Sequence, residues 1–423
     1  MKYIIVFFVL ISCSMANGQS ITKRALFLGN SYTGVNNLPQ MVADVTTSTG
    51  DTLLFDSNTP GGYTLQGHST NATSLAKIAV GNWDYVVLQE QSQLPSFPIS
   101  QVETDIFPYA HFLDSIINAE NPCGETVFYM TWGRKNGDAS NCASWPPVCT
   151  YSGMDSLLNL RYRMMADSNN AIVSPVGAVW KYIRQNFPLI NLYQSDESHP
   201  SVAGTYAAAC SFYTALFRKD PTAITFNSTL STTDAANIRT ATKLMVYDNL
   251  MKWNIGVYDP LANFTYSISS GNQVAFTNSS LNATNFNWNF GDGGTSATNN
   301  PTHTYLTTGT YTAQLIANKC GNSNTTFQAI NITIPVGVNE TTQTNNLNIH
   351  PNPVTTILNV KYDLSNKITY KIVSIIGQEI QTGIINNSEK QINISLLSEG
   401  IYFLQLFDNN KSLGQQKFVK SAK

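Results

Sequence analysis

Ala25-Leu26-Phe27-Leu28-Gly29-Asn30-Ser31-Tyr32 is a run of four apolar residues that passes without a polar break into a Gly-Asn-Ser turn. A short continuous apolar run closed by a turn is the pattern of a strand buried on both faces, as in a parallel sheet covered by helices. The same pattern recurs at Leu53 to Asp56, Tyr85 to Leu88, Val127 to Met130 and Ile172 to Ser174. Helical stretches are read over Leu38 to Ser48, Ser74 to Val80, Ile99 to Ala119, Met154 to Asp167, Val176 to Gln185, Ser201 to Phe217 and Thr233 to Trp253. Strands and helices in alternation predict an α/β unit of flavodoxin-like, three-layer α/β/α build with a parallel sheet, spanning residues 19–258.

Upstream of this unit, Lys2, the apolar run Tyr3 to Ser12 and small residues up to Gly18 have the layout of a secretory signal peptide over residues 1–18. Cys13 in Leu-Ile-Ser-Cys loosely matches a lipoprotein box, whereas Ala16 and Gly18 fit ordinary cleavage. The apolar run is too short to span a bilayer, and no later run reaches the ~18 apolar residues a spanning helix needs. A secreted chain with no transmembrane segment in its mature form is expected.

Downstream, beyond Pro260, Asn, Thr and Ser dominate and the alternation of Phe264, Tyr266 and Ile268 replaces helical periodicity, so this part reads as all β. Gly291, Gly293 and Gly294 mark a hairpin turn. The polar run 337–346 reads as a linker, and alternating stretches at Leu358 to Tyr362, Tyr370 to Ile375 and Ile401 to Phe407 predict a second β unit over residues 347–423.

Composition narrows the function classes. The 423 residues exceed one ordinary domain, and 12% charged residues with a net charge of −2 provide no basic field for nucleic acid. Five cysteines follow the signal segment, at 123, 142, 149, 210 and 320. Cys142 and Cys149 flank Trp145-Pro146-Pro147 and lie close enough in sequence to close one loop in an oxidising compartment. No Cys-x-x-Cys pair or His cluster accompanies them, so no metal is expected. The absence of a Gly-x-Ser-x-Gly elbow and of a Walker A loop argues against an α/β-hydrolase elbow and a nucleotide site, and no cofactor is expected.

The turn after the first strand lies at the carboxyl edge of the predicted sheet, where open α/β sheets carry their sites. A serine there needs a base to become a nucleophile. Ser195-Asp196-Glu197-Ser198-His199-Pro200 supplies a carboxylate three residues ahead of an imidazole, a spacing that lets Asp196 hold the His199 ring from one loop. The alternative is a helix-capping Asp196 and a surface His199.

Gly29-Asn30-Ser31, the glycine loop Pro60-Gly61-Gly62-Tyr63-Thr64-Leu65 and Asp196-x-x-His199-Pro200 together resemble the SGNH (GDSL-like) hydrolases over about residues 23–256. The resemblance implies a serine esterase working through an acyl-serine intermediate, with O-acyl groups on carbohydrate as the expected substrate. Ser31 would be the nucleophile, His199 the general base and acid, and Asp196 the residue that orients the imidazole. The N–H groups of Ser31 and of Gly62, or of its neighbour Gly61, would line the oxyanion hole. The third block departs from the family: Gln89-Glu90-Gln91-Ser92 stands where Gly-x-Asn-Asp is usual. Gln91 or Gln89 could supply the third oxyanion contact through its amide, while Glu90 reads as solvated or ion-paired. His68, Trp132 and Arg134 are candidate substrate contacts, with structural roles as the alternative. The insert from Arg134 to Tyr151 would form a pocket wall. A non-catalytic, glycan-binding surface protein is the competing expectation.

Asn287-Trp288-Asn289-Phe290-Gly291-Asp292-Gly293, with Pro301 to Tyr305 and Gly309 to Ala313, resembles a PKD domain over about residues 261–336, which implies an immunoglobulin-like sandwich with Trp288 and Tyr311 in its core. His350-Pro351-Asn352-Pro353-Val354, with Tyr370 to Gly377 and Leu397 to Phe403, resembles the C-terminal sorting domain of the type IX secretion system, His350 standing where tyrosine is usual. That resemblance implies a source among the Bacteroidetes and the secretion machinery as a partner.

Overall fold

The computed structural model describes residues 20–269, 272–334, 347–362, 367–386, 390–408 and 411–422. The signal peptide expected over 1–18 and the linker expected over 337–346 lie outside the described residues.

Five strands form the sheet of the first unit: β1 (Thr22–Leu28), β2 (Thr52–Asn58), β3 (Tyr85–Leu88), β4 (Glu125–Tyr129) and β5 (Ile172–Ser174). They are parallel, in the order β2-β1-β3-β4-β5. Ala25 to Leu28 are buried on both sides of the strand, as their unbroken apolar run requires. The chain reverses direction of winding between β1 and β3, which pair from Ala25–Tyr85 to Leu28–Leu88. A crevice opens outside the carboxyl ends of two such strands.

The helices are α1 (Ser31–Gly34), α2 (Leu38–Thr47), α3 (Leu65–Thr70), α4 (Ala72–Ile78), α5 (Ile99–Asp105), α6 (Phe107–Glu120), α7 (Tyr151–Ser168), α8 (Val176–Asn186), α9 (Val202–Phe217) and α10 (Thr232–Met245). Helices α2, α8 and α10 all pack against α9, while α3, α4 and α5 pack with α6. Every residue of α9 from Ala203 onward is buried, which its small side chains permit. Gly204 is required there: a Cβ would lie 2.4 Å from the Leu192 carbonyl and 2.5 Å from the Trp180 ring.

Three helices differ from expectation. The stretch Ile99 to Ala119 is two helices broken at Ile106, because Pro108 lacks an N–H and its ring excludes the carbonyl four residues back. The last helix stops at Met245 and continues as a 3-10 segment, Tyr247–Trp253, with Asn249 out of helical conformation. Helix α3 was not anticipated. Its six residues are too few to show a period, and its start is marked only by Thr64, whose hydroxyl caps Gly67 N–H.

Residues 264–332 form two antiparallel sheets of three and four strands. Trp288 is buried with Phe264, Phe276 and Phe290 as expected, but Tyr311 is only half-buried. Tyr305 takes the interior place instead, its hydroxyl donating to Phe290 O at 2.8 Å. Cys123, before β4, is bonded to Cys320 at the turn between strands Gly309–Lys319 and Asn322–Ile332, so this module and the α/β unit are covalently joined. Cys142 is bonded to Cys149, and Cys210 is a buried thiol. The described residues from 347 onward make a separate compact unit of two antiparallel sheets around Leu358, Ile372, Leu404, Leu406 and Phe418. Among the described residues no helix is long and apolar enough to cross a membrane.

Candidate active site

The turn that carries Ser31 is built by close packing. A Cβ on Gly29 would lie 2.5 Å from Thr33 Oγ1 and 2.7 Å from Gln89 Oε1, so only glycine lets the chain pass from β1 into α1 here. Asn30 caps α1: its Oδ1 accepts from Tyr32 N–H at 3.0 Å. Its Nδ2 donates to Tyr63 O at 2.9 Å, which ties the turn to the glycine loop. Ser31, at the first helical position, keeps a backbone N–H with no intrahelical acceptor.

Ser31 Oγ lies 2.9 Å from His199 Nε2. The other ring nitrogen, Nδ1, is hydrogen-bonded to Asp196 Oδ2. A carboxylate only accepts, so Nδ1 carries the hydrogen and Nε2 presents its lone pair to the serine hydroxyl. Partial burial alone would raise the Asp196 pKa. Hydrogen bonds from the His199 ring and from the backbone N–H of Ser198 and His199 outweigh it and hold the carboxyl below its ordinary value.

The loop that presents Asp196 and His199 is held on several sides. Trp132 Nε1 donates to Ser198 O at 3.1 Å, and the Tyr32 hydroxyl bonds Ser198 Oγ at 2.6 Å. Lys135 N–H donates to Glu197 O at 2.9 Å, and Asn36 Nδ2 to Pro200 O at 3.1 Å. Trp132 stacks between Tyr32 and Trp180, at 4.8 Å and 3.7 Å between ring centroids. It is 0% exposed, so the substrate contact considered for it is replaced by a packing role behind the loop.

The glycine loop turns at Pro60 to Tyr63 with Gly62 at φ +69°, a conformation costly for other residues. Gly61 and Gly62 face open space. His68, also a candidate contact, is 0% exposed. Its Nε2–H donates to Gly29 O at 2.9 Å and its Nδ1 accepts from the Ser74 hydroxyl at 2.7 Å. Burial lowers its pKa, in keeping with a neutral ring that braces the turn from behind.

The third block is internal where the sequence suggested a surface. Gln89 is buried, and its carboxamide makes four hydrogen bonds, to Asn30 N–H, Asn30 Oδ1, the Thr33 hydroxyl and Glu90 O, at 3.0, 2.9, 2.8 and 2.6 Å. It does not face the crevice. Glu90, expected to be solvated or paired, is buried as well, and its oxygens accept from Leu65 N–H at 3.1 Å and Gln91 N–H at 2.5 Å. Burial pushes this carboxyl up to about 8 against those two bonds, which favour the charged form. The Gln91 carboxamide oxygen accepts from the N–H of Gln93 and Leu94, and its Nε2 donates to Gln93 Oε1, which leaves one amide hydrogen uncommitted.

Arg134 is half-buried and bonded at 3.2 Å to Asp138, a buried carboxylate that also accepts from Gln93 and Asn141, each at 2.7 Å. Asp138 thus organises the insert closed by Cys142 and Cys149. Sequence reading missed it, as it missed Tyr32 and Ser198. Nothing in their spacing marks them, since each acts through contacts that only the fold creates.

A model of the PKD domain matches residues 259–334, and a model of the secretion system C-terminal sorting domain matches residues 348–421. The chain carries both modules, and the sorting domain, of the type IX system, directs it to export, to the cell surface or beyond. No curated protein matches the chain. Among solved structures, a DUF4886 family protein from Bacteroides uniformis is 16% identical, with a TM-score of 0.46, over 54% of this chain and 95% of that one. A proposed SGNH hydrolase from Slackia heliotrinireducens is 25% identical, with a TM-score of 0.37, over 45% of this chain and 97% of that one. The psychrotrophic esterase EstA from Pseudoalteromonas sp. is 14% identical, with a TM-score of 0.31, over 45% of this chain and 94% of that one.

Proposed function

We propose that the α/β unit is a serine hydrolase that cleaves carboxylic esters through an acyl-serine intermediate and removes O-acyl groups, acetyl foremost, from carbohydrate outside the cell. The observation that carries this reading is the unbroken line from Ser31 Oγ through the His199 ring to Asp196. As the hydroxyl attacks the ester carbonyl, His199 Nε2 takes its proton, and Asp196, ionised and below its ordinary pKa, stabilises the imidazolium. The developing oxyanion is met by the N–H groups of Ser31 and Gly62, with the uncommitted amide hydrogen of Gln91 as a third donor. Loss of one such donor typically costs ~10² to 10³ in rate. His199 then protonates the leaving alcohol, and a water attacks the acyl-serine by the same route in reverse.

The carbohydrate part rests on export by the sorting domain, which brings the enzyme to glycans. The chemistry is tested by p-nitrophenyl acetate hydrolysis with the full chain and its Ser31→Ala variant. A loss of at least ~10³ is expected, and equal rates would end the hydrolase reading. A panel of acetylated glycans set against longer-chain acyl esters tests the substrate. Preference for acyl chains of eight or more carbons would remove the deacetylase assignment.

A further inference from the structure

We infer that Gln89 and Glu90 are positioning residues that fasten the Ser31 turn and the Gly62 loop to one edge of the sheet and so set the separation of the two backbone N–H groups of the oxyanion hole. The inference rests on the esterase reading of the site. It gives Gln89 and Glu90 of the third block a mechanical role beside the donor role of Gln91.

The pairing of Leu28 with Leu88 puts the two strand ends side by side, and Gln89 N–H continues the ladder to Leu28 O at 2.9 Å. From there the Gln89 side chain reaches the Ser31 turn. Both of its amide hydrogens are used, on Asn30 Oδ1 and Glu90 O, and its oxygen accepts from Asn30 N–H and the Thr33 hydroxyl. A primary amide has two donors and two acceptor sites, so no hydrogen remains for an oxyanion. What the residue fixes is Asn30, which in turn holds Tyr63 O, the carbonyl one residue past Gly62.

Glu90 fastens the same loop from its other side. Its two oxygens bridge Leu65 N–H, at the start of α3, and Gln91 N–H. The segment from Gly62 to Leu65 is thereby pinned at Tyr63 by block one and at Leu65 by block three. Gly62 has φ +69° and open space around it, so these two ties, with the Tyr63 to Pro60 turn bond at 3.3 Å, locate its N–H. A displacement of ~1 Å at such a site can cost ~10²-fold in rate.

The test compares full-length wild type with Glu90→Gln, which keeps shape but sets an amide hydrogen against one backbone N–H, and Gln89→Glu, which keeps the acceptor but removes both donations. kcat and KM are measured on p-nitrophenyl acetate, along with the rate of Ser31 phosphonylation by a p-nitrophenyl alkylphosphonate, whose phosphoryl oxygen must enter the same hole. The expected result is a fall of ~10 to 10² in kcat, KM within ~3-fold, and phosphonylation slowed by a matching factor in folded protein. Unchanged kcat in folded variants, a loss confined to KM, or rates that track only the folded fraction would overturn the inference. Failure of both variants to fold would assign the pair to stability alone and overturn it as well. Should wild type prove no faster than Ser31→Ala, the esterase reading fails and takes this inference with it; wild type faster than Ser31→Ala with unaffected variants fails this inference alone.

Discussion

Ser31 and His199 stand 168 residues apart in sequence and meet only because the loop after Tyr193 is held against the Ser31 turn. Trp132 is one of the groups that hold it. Trp132→Phe keeps an aromatic face between Tyr32 and Trp180 but leaves Ser198 O without its indole donor, a loss of about 1–3 kcal/mol if the carbonyl stays buried. The expected outcome is a several-fold fall in kcat on p-nitrophenyl acetate with KM nearly constant. A variant at wild-type kcat would show the indole bond to be dispensable. Glu90 gives a second prediction at this scale. Burial raises its pKa from 4.5 to about 8, so the folded state holds a proton that the unfolded state releases, and stability falls as pH rises between those values. The melting temperature of wild type relative to Glu90→Gln should therefore drop from pH 5 to pH 8 and level off above. A difference that rises over this range would contradict the buried, proton-retaining carboxyl. The meeting of Asp196 with the His199 ring was legible because the two share one loop at a spacing of three residues. Gln89 and His68 were read as facing substrate and Glu90 as solvated or ion-paired, yet all three are buried, because the direction of a side chain at that edge is set by what packs beneath it.

Elements were legible where they were long. All five strands and the major helices follow from apolar runs and periodicity, and the differences are local: at Pro108, beyond Met245 where the last helix tightens into a 3-10 segment, and in the six residues of α3, too short to show a period. Packing between elements was not legible at all, and it governs the site. Helix α9 approaches Trp180 of α8 and the Leu192 segment so closely that residue 204 has no room for a methyl group. Leu192 O also accepts from Ser201 N–H at 2.9 Å, so the same contact anchors the far end of the loop that carries Asp196 and His199. Gly204→Ala should cost about 1–3 kcal/mol through overpacking, read as a lower urea midpoint at unchanged slope. It should also reduce kcat beyond the loss of folded protein, because relief of the clash moves the loop. Wild-type kcat per folded molecule would show that α9 and the loop are mechanically independent.

At the scale of the molecule, the described residues gather into three hydrophobic clusters, and the covalent tie between the α/β unit and the β module after it could not be read from sequence. Five cysteines after the signal segment leave many pairings open, and only the fold brings Cys123 to Cys320 across 197 residues of chain. The bond lies at the amino end of β4, whereas Ser31 follows the carboxyl end of β1, which runs parallel to β4 in the same sheet with β3 between them, so the tie and the proposed site occupy opposite edges of the sheet. Arg218 reinforces the seam on the same edge, bonded to Asp259 and lying 3.5 Å from Glu125. A disulfide closing so long a loop is worth ~2–5 kcal/mol by the range seen for native bonds. Its removal should therefore loosen the β module without touching catalysis. For the double variant Cys123→Ser, Cys320→Ser we expect p-nitrophenyl acetate hydrolysis within twofold of wild type, and a thermal transition that is lowered or splits as residues 264–332 melt apart from the α/β unit. Loss of activity beyond tenfold in folded protein would mean that the docked module shapes the crevice from across the sheet, and the separation of a tethering edge from a reacting edge would be wrong.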